Sequence, residues 1–196
     1  MSIVSKTKRF DPGDGGPPYR CGVMAMVFSR QGQVLACKRS NEKLKVWTEN
    51  PWQIPQGGID DGEDPQAAAL RELWEEIGLD ASKVQLLMQA PEATTYDFPD
   101  RGENLTPTGK SYRGQHHQWF AFLYTGDNIH TDVTFDKGDE VEFIAVEWWP
   151  IERLANEIVP FKRDAFRTAI EMFAPALAEL KKSIAIPGNT GAAPKP

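Results

Sequence analysis

The first sustained apolar run is Cys21–Phe28, which reads as a buried strand, and Val34–Lys38 continues it as a hairpin partner across the polar turn Ser29–Gln33. After a polar excursion, Asn41–Pro51, a short strand is expected at Trp52–Ile54. The pattern then changes to helical period. A helix is predicted over Pro65–Ile77, with Asp64 as cap, Pro65 in the first turn and Gly78 as stop. Strand-like segments follow at Val84–Met88, Trp119–Thr125 and Val141–Trp148. A last helix spans Lys162–Lys182, where Phe166, Ile170, Phe173, Leu177 and Leu180 recur at helical spacing. Strands, a middle helix, more strands and a closing helix predict an α/β fold in which a mixed sheet lies between helices.

The ends read differently. Asp11–Pro18 is too rich in Gly and Pro for a regular element, so residues 1–18 are expected to be a flexible lead-in. The Gly/Ala/Pro-rich tail, 184–196, is expected to be disordered, which leaves one domain over 19–183.

Composition narrows the class. At 196 residues and 40% hydrophobic, the chain supports one domain with a proper core. Its net charge of −6, without a Lys/Arg tract, excludes the phosphate-tracking surface of a duplex-binding protein. An acidic enzyme can still accept an anionic substrate where metal ions neutralise charge locally. Cys21 and Cys37 have neither redox nor zinc spacing and read as buried thiols. Met1–Phe10 lacks the apolar core of a signal peptide and no run has membrane-spanning length, so a cytoplasmic protein without a membrane partner is expected, a monomer by default.

The chemistry gathers in Gly57–Leu79. On a helix, Glu72, Glu75 and Glu76 fall within an arc of about 100°, with Leu70, Leu73, Trp74 and Ile77 on the opposite arc. The helix is therefore expected to bury its apolar face and aim three carboxylates away from it. Like charges at these spacings repel, and only Arg71 nearby offsets them. Clustered hard oxygen ligands suit Mg²⁺ or Mn²⁺, and the Gly-rich loop lets backbone approach a metal or phosphate closely.

Gly57, Glu63, Arg71, Glu72, Glu75, Glu76 and Gly78, with Leu73 and Leu79, fill every fixed position of the Nudix box. The chain is thereby identified as resembling the Nudix hydrolases. Tyr19-Arg20, Trp52–Ile59, Gln115 with Trp119-Phe120, and Phe161–Asp164 are similar to the bacterial branch of RNA pyrophosphohydrolases and dinucleoside polyphosphate hydrolases. The resemblance implies a Nudix fold and metal-dependent hydrolysis of a phosphoanhydride bond. Its substrate would be a dinucleoside polyphosphate, the 5′-triphosphate end of RNA, or both. Other readings are an enzyme on another nucleoside diphosphate derivative such as ADP-ribose, or a non-catalytic nucleotide-binding module. The latter would be expected to lack a box glutamate, and all three are present.

By the same resemblance Glu72, Glu75 and Glu76 hold two or more Mg²⁺ or Mn²⁺ ions, helped by a backbone carbonyl at Gln56 or Gly57. Arg71 orients a glutamate, and Glu63 anchors the loop or completes the metal shell. A further glutamate, ligand or general base, is expected from Asp139–Phe143. Alternation puts Glu140 and Glu142 on one side of a strand, and the family position favours Glu142. Arg39 is expected at substrate phosphate, with Lys38 beside it and Arg20 and Lys162 as weaker candidates. Tyr96 or Phe98 is a candidate to stack on a base. The branch usually carries two lysines where this chain has His116 and Gln118, so His116 would give a phosphate contact that depends on pH.

Overall fold

The computed structural model describes residues 8–40, 50–99, 112–135 and 141–185. Among the described residues nine strands form one mixed sheet: β1 (Arg9–Phe10), β2 (Tyr19–Phe28), β3 (Val34–Arg39), β4 (Trp52–Gln53), β5 (Gln56–Gly58), β6 (Val84–Gln89), β7 (Thr94–Asp97), β8 (Gly114–Tyr124) and β9 (Phe143–Trp149). The helices are α1 (Pro65–Ile77), α2 (Ile129–Asp132), α3 (Ile151–Glu157) and α4 (Arg163–Ala185).

At the centre β2 runs parallel to β8, from Arg20 opposite Gln115 to Phe28 opposite Leu123. Both strands are largely buried because both faces are covered. Alternate residues feed two cores. Met24, Met26, Phe28 and Trp119 pack with Leu154 of α3 and Phe166 and Phe173 of α4. Val23, Ala25, Val27, Phe120 and Phe122 pack with Ala69, Leu73 and Ile77 of α1. The sheet thus lies between α1 on one face and α3 with α4 on the other, as the strand and helix pattern predicted.

The expected hairpin holds only at its turn. Phe28 pairs with Val34, after which β3 leaves β2 and pairs with β4 and β9. The local signal gives the reversal of the chain, whereas the partner of Val34–Arg39 comes from residues more than a hundred positions later.

Helix α1 has the bounds and caps the sequence predicts. Asp64 accepts from Ala67 N at 3.0 Å, and Gly78, at φ 62°, donates to Trp74 O while Leu79 N donates to Leu73 O. Its orientation differs from expectation. Trp74, predicted to be buried, is 43% exposed, while Glu72 is only 8% exposed. The inward face is centred on Ala68, Ala69, Glu72, Leu73 and Ile77, so two of the carboxylates point toward the sheet. The spacing of large apolar residues mislocated this face because two alanines supply much of its packing.

The lead-in also differs from expectation. Arg9 and Phe10 pair antiparallel with Arg20 and Tyr19, and Asp14 forms an ion pair with Arg113. At the other end α4 continues to Ala185; the rest of the expected tail lies outside the described residues. So do Glu140, most of the Asn41–Pro51 excursion and most of the loop between Pro99 and Arg113. Among the described residues no helix is long and apolar enough to cross a membrane.

Candidate active site

Strand β5 and helix α1 build the centre. Gln56–Gly58 pairs with Met24–Gly22 and so fixes the loop backbone against the central sheet. A Cβ at Gly57 would overlap the Glu72 carboxylate, so only glycine lets this side chain lie directly on the strand. Gln56 N donates to Glu76 Oε2 at 2.9 Å.

Arg71 holds the rest together. Its Nε and Nη2 donate to the two oxygens of Glu63 at 2.8 and 3.0 Å, in the bidentate geometry that guanidinium and carboxylate share. Nη1 donates to Glu72 at 2.7 Å and to Glu75 at 3.0 Å, and Nη2 also reaches Gly58 O at 2.8 Å. Glu63 accepts from Asp60 N at 2.9 Å as well, which ties down the turn before α1. Glu75 remains exposed.

Burial raises the pKa of both inward carboxylates. For Glu76 it is pushed well up, first by desolvation and then by the charge of Glu72; for Glu72 desolvation outweighs Arg71. Among the described residues no three His, Cys, Asp or Glu side chains converge as a ready-made metal cage. Arg71 and the Gln56 amide take up the lone pairs that an ion would otherwise use. The donor set nevertheless fits a hard divalent cation: oxygen donors only, beside a close-packed glycine loop, with Glu72 buried and Glu76 half-buried, both raised in pKa by desolvation.

Cations lie around this pair. Arg39, at the end of β3, donates to Glu142 through Nε at 2.9 Å and through Nη2, and feels the charge of Glu76. Glu142 is therefore held by Arg39 just before β9. Lys38, the residue preceding Arg39, is half-buried opposite Trp52 and Ala145, and the register with β9 shifts between Lys38 and Arg39. Lys162 is buried in the short turn just before α4. Its Nζ donates to Gln56 Oε1 at 2.9 Å and lies 5.5 Å from the Tyr96 ring centre. Tyr96 is buried and donates to Gln115 Oε1.

The two neighbouring histidines lie on opposite faces of β8. His116 stacks on Phe10, ring centres 4.1 Å apart, and its Nδ1 lies 2.9 Å from Thr95 Oγ1. His117, on the opposite face of β8, is 2% exposed, stacks on Tyr96 at 5.5 Å and feels the charges of Lys162 and Arg20. Its Nδ1 has no partner among the described residues. Alternation from Trp119, a side chain too large for any place but the core, carried the signal that His117 shares the Trp119 face. Lys162 was marked only weakly by the sequence, because its burial depends on where α4 docks.

Burial, then Arg39, lower the Lys162 pKa from 10.5 to about 7. Below that pH the folded protein carries a buried ammonium whose cost is fully present. The cost fades as pH rises toward the unfolded value of 10.5, since the unfolded chain binds more protons in that window. Lys162→Met should therefore raise the melting temperature of the metal-free protein at pH 6, with a gain that shrinks steadily above pH 7. Melting curves from pH 6 to 9.5 check this, and a gain independent of pH would refute the assignment.

The NUDIX domain family model matches residues 18–169. An RNA pyrophosphohydrolase of Cereibacter sphaeroides is 38% identical over 171 residues, covering 87% of this chain and 99% of that protein. One of Rhizobium meliloti is 43% identical over 159 residues, covering 80% and 93%. Among solved structures, the E. coli dihydroneopterin triphosphate pyrophosphohydrolase superposes with a TM-score of 0.55 at 17% identity, over 76% of this chain and 92% of that one. A C. elegans Ap4A hydrolase gives 0.54 at 16%, over 81% and 98%. These two share the fold, and their different substrates show that the fold alone does not choose one. The chain belongs to the Nudix family and is a hydrolase of phosphoanhydride bonds. Nudix hydrolases generally require divalent metal ions.

Proposed function

We propose that this enzyme hydrolyses a phosphoanhydride bond at the 5′-triphosphate end of RNA. The observation that carries the reading is the near full-length similarity to RNA pyrophosphohydrolases, at 38% identity over 99% of one such protein. The proposal includes a cytoplasmic, monomeric enzyme using two or more Mg²⁺ or Mn²⁺ ions, held by Glu72, Glu75 and Glu76 with the Gly57 carbonyl. When bound, these ions polarise phosphoryl oxygens and lower the pKa of water so that it attacks near neutral pH.

The chain's own residues do the rest. Arg71 keeps Glu72 and Glu75 in fixed positions, a requirement for holding multivalent cations in one geometry. Arg39, Arg20 and Lys162 form the cationic wall for the substrate phosphates, and Tyr96 closes that wall from β7. Glu142 takes a proton from the attacking water once substrate phosphate draws Arg39 away from it. Lys38 and His116 stand outside this reading, because Lys38 is half-buried between Trp52 and Ala145 and His116 is taken up by Phe10 and Thr95.

Glu142→Gln should lower turnover by about 100-fold, the range of general base catalysis, and by more than Glu140→Gln. Steady-state rates at saturating substrate decide it, and the reverse order would transfer the base to Glu140. The substrate is tested by giving the protein and Mg²⁺ matched concentrations of a short 5′-triphosphorylated RNA and of diadenosine tetraphosphate. Faster release of phosphate or pyrophosphate from the RNA supports the proposal. Faster formation of ATP and AMP makes it a dinucleoside polyphosphate hydrolase instead.

A further inference from the structure

Residues 8–10 precede the span that the family model matches, yet they reach two parts of the site. One edge of β2 is taken by β8. On its other edge β2 pairs with β5 through Gly22–Met24 and with β1 through Tyr19 and Arg20, so β1 and β5 lie end to end. Lys8 sits at their junction. It donates its N–H to Ile59 O at 3.1 Å and accepts from Cys21 N at 3.0 Å, while Ile59 N donates to Cys21 O at 3.3 Å. Ile59 directly follows Gly57 and Gly58, the two residues against which Glu72 and Arg71 rest.

The strand is itself anchored outside the site. Phe10 stacks on His116 with the rings 15° from parallel. The Arg9 guanidinium lies 5.8 Å from the Tyr112 ring centre. Asp14 pairs with Arg113, whose guanidinium lies 5.0 Å over Tyr19. Residues 9–14, which follow the bond to Ile59, are thus tied down at three points.

We propose that β1 is a positioning element for the metal-holding loop, acting through the Lys8–Ile59 backbone bond. This rests on reading Gly57–Glu63 and the carboxylates of α1 as that metal-holding unit. Without β1 the Ile59 carbonyl and the Cys21 amide lie unpaired at a sheet edge, and the loop has more conformations open to it. Metal affinity then falls in proportion to the fraction of molecules with loop and helix aligned. The same contacts give His116 a role as the platform on which Phe10 sits.

The test compares full-length Lys8→Pro, Lys8→Ala and Phe10→Ala with the unaltered chain. Mn²⁺ binding is read by electron paramagnetic resonance without substrate, alongside kcat, KM and the melting temperature. Lys8→Pro removes the donor to Ile59 but keeps the carbonyl for Cys21, so Mn²⁺ should bind about three- to tenfold more weakly, as expected for one lost backbone hydrogen bond. kcat should fall in step, with KM within twofold. Lys8→Ala, which keeps the backbone, should bind Mn²⁺ as the unaltered chain does. Unchanged Mn²⁺ affinity in a folded Lys8→Pro protein would overturn the proposal. If that variant does not fold, Phe10→Ala decides: weaker Mn²⁺ binding supports the proposal, and unchanged binding overturns it. Because Mn²⁺ binding is read without substrate, failure on RNA would count against the proposed substrate and leave this result standing.

Discussion

Glu76→Gln should abolish most turnover at saturating substrate while leaving the fold intact. Loss of a residue that merely orients a metal ligand typically costs 10–100-fold, so loss of a ligand charge should cost upward of ~100-fold. The replacement is isosteric, and its amide oxygen can still accept from Gln56 N, which the Glu76 carboxylate does at 2.9 Å. Moreover, Glu76 is half-buried beside Glu72 with its carboxyl pKa pushed well up by desolvation, so its charge is a cost to the metal-free fold. Removing that charge should leave the melting temperature of the metal-free protein equal or higher. Rates with Mg²⁺ and Mn²⁺, read beside melting curves, separate the two effects. Near-normal activity would show that Glu76 does not hold the metal.

Arg71→Ala should damage both stability and turnover. It removes bonds to Glu63, Glu72, Glu75 and Gly58 at once and leaves three carboxylates without their shared counter-charge. The loss of charge-assisted bonds from a partly buried site should cost about 2–3 kcal/mol. For a domain of this size that lowers the melting temperature by roughly 5–10 °C. Turnover should fall by about 10–100-fold, as for other residues that orient metal ligands. Arg71→Lys should not rescue it, because one ammonium cannot reproduce the two-pronged bond to Glu63 while also reaching Gly58 and Glu75. Recovery to within twofold by Arg71→Lys would show that Arg71 acts only as a positive charge.

Much of the site was legible because its signals are local. The loop, cap and stop of α1 follow from Gly57, Asp64, Pro65 and Gly78, whose effects extend over one turn. The box spacing fixed which residues meet, since Glu63 and Arg71 are brought together by the loop-to-helix turn itself. Strand β2 and the Trp119–Tyr124 half of β8 were legible through their apolar runs, whereas Gly114–Gln118 was not. The short strands β1, β5 and β7 were not, because two to four residues carry too little periodic signal and become strands only through their partners.

The sequence by itself determined the family, the box and the bounds of its helix, and the longer strands and helices. These rest on chemistry between residues close along the chain. Only the tertiary structure decided which face of α1 turns inward, that His117 rather than His116 joins Tyr96, that Lys162 reaches Gln56, that Arg39 holds Glu142, and that Arg9 and Phe10 extend the sheet. Each of these depends on how separate elements dock. Docking is set by the summed packing of two cores whose members lie far apart in sequence, and small residues such as Ala68 and Ala69 contribute to it with almost no signature in the hydrophobic pattern.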